Sequence, residues 1–177
     1  MKKGDFKVLW FGLALVISLG LFTGSYRLYQ DRMIEKPVIT KIDTFSNVEN
    51  VEIEKNHDGY FVEVNIQTVG DIKEDYKQID KVVNSSIKKN YDIHLVDQRD
   101  NELQTALDEF QIEIYEALAK NNYVWLQEQL KDLAVTQNYE YNLYLDEERL
   151  YIQLEKGDAF LYEVINRPSQ DKVSGPV

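Results

Sequence analysis

The chain of 177 residues holds two histidines, His57 and His94, and no cysteine. That inventory removes thiolate nucleophiles, disulfides and sulfur-ligated metals together. A histidine that acts as a general base needs a nucleophile and an orienting group within hydrogen-bond reach. His57 falls beside the turn signal Asp58-Gly59, and His94 falls on the outward face of an alternating segment. Neither belongs to an HExxH pattern, and neither has a second histidine four residues away. There is no Gly-rich phosphate loop, and Asp146-Glu147-Glu148 lacks the spacing and glycine of a calcium loop. The expectation is a chain that is not an enzyme, with no metal and no cofactor.

The densest polar cluster at an element junction is Asp97-Gln98-Arg99-Asp100. A guanidinium on a loop offers a bidentate fork to a ligand or partner. The plainer role is strand exit and helix capping, with Arg99 paired to Asp97 or Asp100. Tyr144 and Tyr151 share one face of a C-terminal meander, opposite its core face, and Leu161 and Ile165 are expected beside them. A half-apolar face of that kind needs a cover, supplied by the chain's own helices over 102–136 or by a partner. Tyrosine is enriched at interfaces. The candidate ligand- or partner-binding residues are therefore Asp97, Arg99, Asp100, Tyr144 and Tyr151.

Several elements must position these residues. Pro37 suits the first turn of a helix, and Ile39, Ile42 and Phe45 predict one over 37–46. Asp58-Gly59 between alternating apolar residues predicts a hairpin with a two-residue turn, pairing Ile53 with Val64 and Val51 with Ile66. The same register opposes Glu54 and Glu63. Ile72, Tyr76, Ile79, Val83 and Ile87 form one stripe of a helix over 71–89, with Asp71 as N-cap and Asn90 at its end. Residues 91–97 alternate as a strand with Tyr91, Ile93 and Leu95 inward. The first half, 37–97, thus reads αββαβ.

In the second half, 98–167, Leu103, Leu107, Phe110, Ile114 and Leu118 line a helix over about 102–120. Asn121-Asn122 breaks it, and Leu126, Leu130 and Leu133 mark a second helix over about 122–136. A meander follows, over 139–146, 149–155 and 159–166. Its first pair matches Leu145 with Leu150, Leu143 with Ile152 and Tyr141 with Leu154. For its last pair a two-residue Gly157-Asp158 turn would place Glu163 opposite Ile152. A three-residue loop, 156–158, avoids burying that carboxylate and is the one expected. The fold class is α+β: one transmembrane helix, then an αββαβ half and an ααβββ half.

The transmembrane expectation rests on Val8–Tyr26, which contains no charged residue. At ~1.5 Å per residue the run is close to the ~30 Å hydrocarbon core of a bilayer. Lys2, Lys3 and Lys7 precede it against Asp5 alone, which predicts residues 1–7 in the cytoplasm and the C-terminal domain outside. Trp10, Tyr26 and Tyr29 suit the two interfaces. A cleaved signal peptide is the rival, but the apolar run is long for one and Thr23-Gly24-Ser25 is a poor exit. Residues 27–36 read as a stalk, and 168–177 as a disordered tail. Setting aside Lys2, Lys3, Lys7 and Asp5 leaves 17 basic and 30 acidic side chains, a net charge of −13. Such a surface repels phosphate backbones, so no nucleic-acid partner is expected.

The anchor, LVDQRD before a helix pair, and RLYIQL with FLYEVI near the end resemble an uncharacterised family of single-pass membrane proteins of Gram-positive, spore-forming bacteria. That resemblance brings no activity with it. The αββαβ order is also similar to the ring-building modules of secretion and sporulation complexes, a likeness of fold alone. The functional expectation is a membrane-anchored extracytoplasmic interaction or scaffold module, with a protein partner or self-association. A ligand-sensing or substrate-binding domain is the alternative, to be recognised by a pocket between the halves into which polar groups such as Arg99 converge.

Overall fold

A computed structural model of the protein describes residues 13–22, 25 and 34–168. Residues 13–22 are helical, and their large apolar side chains are exposed. Among the described residues no helix is long and apolar enough to cross a membrane. The span expected over 8–26, the stalk over 27–36 and the tail after Pro168 extend outside the described residues.

Pro37 stands in the first turn of α1 (Lys36–Ile42), where its missing N–H costs nothing. This helix stops four residues before the expected end, and Phe45 N donates to Ile42 O at 2.9 Å in the turn that follows. The first sheet then holds β1 (Val48–Lys55), β2 (Tyr60–Ile66) and β3 (Tyr91–Val96) in that order. β1 and β2 are antiparallel. β2 and β3 are parallel, so the chain must cross over between them, and α2 (Ile72–Ser86) makes that crossing.

The hairpin differs from expectation by two residues. Ile53 pairs with Val62 and Val51 with Val64. Asn56 is the cause: its Oδ1 accepts from the amides of Asp58 (3.0 Å) and Gly59 (2.8 Å), and its own N–H donates to Gly59 O at 3.0 Å. This side-chain turn closes a four-residue loop in place of the two-residue one. A slip of two preserves the faces, so Val51, Val62 and Val64 are still buried. The opposed carboxylates become Glu52 and Glu63, with Glu54 facing Phe61. Gly59 matters for proximity: a Cβ there would lie 2.1 Å from Asn90 O, whose carbonyl accepts from Tyr60 N at 2.9 Å.

α2 carries the expected stripe, with Ile72, Tyr76, Ile79 and Val83 buried. Asp71 caps it, accepting from Lys73 N at 3.0 Å and Glu74 N at 3.2 Å. It ends at Ser86, before Asn90, yet Ile87 stays buried in an extended conformation. In the second half α3 (Asn101–Lys120) and α4 (Tyr123–Gln137) form a helical hairpin. Asn121 takes the left-handed conformation, φ 53°, that ends α3.

The second sheet is the meander β4 (Glu140–Leu145), β5 (Arg149–Lys156) and β6 (Ala159–Asn166). The β4–β5 register is the expected one. The β5–β6 register is not. The turn is the two-residue Gly157-Asp158, with Gly157 at φ +62°, and Glu163 does lie opposite Ile152. The expectation failed because the carboxylate is not alone: its side chain is 36% exposed and 3.8 Å from Arg99.

This register also moves Leu161 and Ile165 away from Tyr151. They join Leu150, Ile152 and Leu154 against Leu103, Phe110, Ile114, Leu126 and Leu130 of the helix pair. Tyr151, Phe160 and Tyr162 form the other face and enter the core of the first half, with Val62, Ile72 and Ile79. The face of Tyr144 and Tyr151 is therefore covered by the first half, not by helices over 102–136. The second sheet is buried on both sides. The first is buried on one, and Glu52, Glu54, Asp92 and His94 of its other face are exposed.

Candidate functional site

The sequence-predicted polar residues meet where the two halves join. Asp97 leaves β3 with its side chain 1% exposed, and Arg99 grips it with a two-pronged contact, Nε–Oδ1 2.8 Å and Nη2–Oδ2 2.7 Å. Paired planar groups of this kind make strong, directional bonds. Tyr162 N of β6 donates to Asp97 Oδ2 at 2.7 Å, and Arg99 Nη2 donates back to Tyr162 O at 3.2 Å. Arg99 Nη1 donates to Gln104 Oε1 of α3 at 3.1 Å. These bonds use four of the five guanidinium N–H groups. Asp100 caps α3 through Leu103 N at 2.8 Å. The cluster thus fastens β3, α3 and β6 to one another.

Tyr144 and Tyr151 lie on a second part of the same junction. Tyr144 OH donates to Gly70 O at 3.3 Å, and the Tyr151 ring meets Tyr76 of α2 edge-on at 5.8 Å. Tyr151 OH donates to Asp146 Oδ2 at 2.9 Å. Burial alone would raise the Asp146 pKa. The amides of Glu148 and Arg149, the Tyr151 hydroxyl and Lys77 outweigh it and hold the carboxyl below its ordinary value. Arg149 lies 5.1 Å over the Tyr76 ring and 3.6 Å from Asp80. Burial pushes the Tyr76 hydroxyl up to about 12. Asp146-Glu147-Glu148 is the turn before β5, with Asp146 Oδ1 accepting from Glu148 N and Arg149 N.

Two junction residues carry no signal of their own in the sequence. The backbone of Val69, in the loop before α2, is held from both ends by the second sheet. Its N–H donates to Tyr162 OH at 2.9 Å, and its carbonyl accepts from Gln153 Nε2 at 2.9 Å. Gln153 is 2% exposed, and Glu155 Oε1 accepts a further bond from it at 2.6 Å. The one available hint was an amide standing alone in the apolar run LYIQL.

Between β3, β6 and α3 lies a cleft of about 330 Å³, lined by His94, Arg99, Gln104, Asp108, Tyr162 and Glu163 among others. That volume is at the low end of the ~300–1,000 Å³ typical of ligand pockets. His94 stacks on Phe61 with ring centroids 6.0 Å apart, and so has a packing role. Burial raises the Glu163 pKa; Arg99 opposes the rise, Asp97 adds to it, and His94 opposes it. Among the described residues no group of His, Asp and Glu is placed to hold a metal ion. No family model, curated protein or solved structure matches the chain. The arrangement binds the two halves together, and besides this cleft two wider openings, of about 640 and 700 Å³, also lie along the joint.

Proposed function

We propose that this chain is a membrane-anchored module of the extracytoplasmic side that acts through protein–protein contact, as a subunit or scaffold of an envelope assembly. The anchor reading is supported by the uncharged run Val8–Tyr26 and the lysines before it. One observation carries the contact reading. Ile112, Tyr115, Val124 and Val135 are 61–76% exposed on α3 and α4, while the ionic groups at the joint are engaged with one another. The contact reading assigns these four exposed side chains of one helix pair to the surface that meets the partner. α3 and α4 together carry seven acidic and two basic side chains, which disfavours nucleic acid as the partner. The resemblance to single-pass membrane proteins of spore-forming bacteria fits the same reading.

The second reading, a ligand-sensing or substrate-binding domain, is favoured by the cleft beside Arg99. Crosslinking in intact cells, followed by recovery through a C-terminal tag, separates the two. Contact predicts a discrete adduct that is lost in Ile112→Ser/Val135→Ser. No adduct, together with a purified chain that binds a small molecule, overturns it. Protease added to whole cells removes the tag if the domain faces outward.

A further inference from the structure

β3 and β6 are edge strands of their sheets, and they face each other. The backbone joins them at one point, Phe160 N to Gln98 O at 3.2 Å. At the next outward residue of β6, side chains replace the ladder: Asp97 takes the N–H of Tyr162 and Arg99 its carbonyl. Beyond that the edges part around the cleft, with Ile93 and Leu95 on one wall and Val164 on the other.

Ladder geometry fixes which backbone groups look into the gap. Asn90 O accepts from Tyr60 N, so the even residues of β3 bond to β2, and Ile93 and Leu95 turn their N–H and C=O groups outward. On β6, Phe160 and Tyr162 bond outward, so Val164 has the same sense. Among the described residues, no backbone bond reaches Ile93, Leu95 or Val164 across the gap. Unpaired edge groups are a template for a further strand.

We propose that the gap takes one extended segment of a partner protein, inserted as a strand between β3 and β6 and carrying a lysine or arginine. This rests on the protein-contact reading above. Charge chooses the occupant. Asp97 and Arg99 neutralise each other, leaving Glu163 and Asp108 on the cleft wall with His94. Glu163 reaches Arg99 only at 3.8 Å and shares it with Asp97, and His94 stands on the same wall. Alternate side chains of an inserted strand point to one side, so one cationic residue meets both carboxylates. A second copy of this acidic chain lacks that complementarity.

The test uses the full chain in detergent micelles and a labelled, end-blocked peptide, Lys-Val-Lys-Val-Lys. Fluorescence anisotropy should report binding, and amide exchange should slow at Ile93, Leu95 and Val164. N-methylation of alternate peptide amides should weaken binding at least about tenfold, because it removes the strand donors. Asp108→Asn/Glu163→Gln should weaken it as well. Equal binding of the methylated peptide, protection elsewhere, or no binding overturns the proposal. If only a chain shortened after Pro168 binds, the protein's own C-terminus is the occupant and a partner strand is excluded. A partner crosslinked in cells through the helix pair, with no peptide binding, sinks the groove and spares the contact reading; loss of both sinks both.

Discussion

β5 buries five residues in a row, Leu150 to Leu154, whereas β1 buries only Val51 of its eight. Both lie in three-stranded sheets of the same chain, and the difference follows from what covers each face. On the first sheet one face meets water, so glutamates can occupy alternate positions at no desolvation cost. On the second sheet each face meets a separate core, so a polar group must find a partner or be lost. Gln153 Nε2 donates to Val69 O and Tyr162 OH accepts from Val69 N, while Gln153 Oε1 is buried without a partner among the described residues. The doubly covered sheet therefore has to be stitched to its neighbour by specific polar bonds. The half-covered sheet is free to keep an edge open.

The sharpest way to break this contrast is to cut the stitch. Asp97→Ala should cost about 3–5 kcal/mol in urea unfolding, because it leaves Tyr162 N–H unpaired and Arg99 with only its longer ion pair, to Glu163. Asp97 is 1% exposed on its side chain, so its bonds are made inside the protein. Ile152→Ala should come next, at about 2–5 kcal/mol, the range for emptying a filled core site. Ile152 is fully buried, whereas Ile53 of β1 is only partly so, and Ile53→Ala should cost clearly less. Equal losses at the two positions would contradict the contrast.

A pH experiment tests the carboxylate that the register places on the α3 side. Burial raises the Glu163 pKa above its ordinary 4.5 in the folded protein. The folded state thus favours the protonated form, and its contribution is full below 4.5 and is lost as pH rises through the folded pKa. Glu163→Gln should therefore be more stable than the parent at pH 7, with the gap closing by pH 3. A constant difference across that range would mean that titration has no part in it. The smallest effect is expected on the open face. Glu52 opposes Glu63, so Glu52→Lys should stabilise the hairpin by ~0.2–1 kcal/mol, less at high salt.

Local patterns were legible in the sequence and distant ones were not. The stripe of α2, the Asp71 cap, a second cap at Asp100 or Asn101 and the β4–β5 register follow from neighbours within a few residues, and the structure has them, with Asp100 as the second cap. The β1–β2 turn was misjudged by two residues because the Asn56 side chain competes for the loop amides that a two-residue turn leaves open. The β5–β6 loop was misjudged for a long-range reason. Glu163 opposite Ile152 is prohibitive only where no cation is near, and Arg99 arrives from 64 residues upstream. For the same reason the tyrosine face was assigned the wrong cover. Asp97, Arg99 and Asp100 were picked out as a cluster, but their bonds to Tyr162 and Gln104 depend on β6 and α3 arriving beside them. Val69 fills the core with its side chain, but what it gives the joint is its backbone, which no side-chain pattern betrays.

Native-state hydrogen exchange in rising urea asks most directly whether the joint makes one body of the two halves. The amides of Ile79 and Val83 in α2 report on the first, and those of Ile152 and Leu154 in β5 on the second. With Tyr151, Phe160 and Tyr162 inside the core of the first half, all four should merge into a single global opening. Two separate plateaus, with β5 opening while α2 stays closed, would contradict the shared core and the Asp97–Arg99 joint with it.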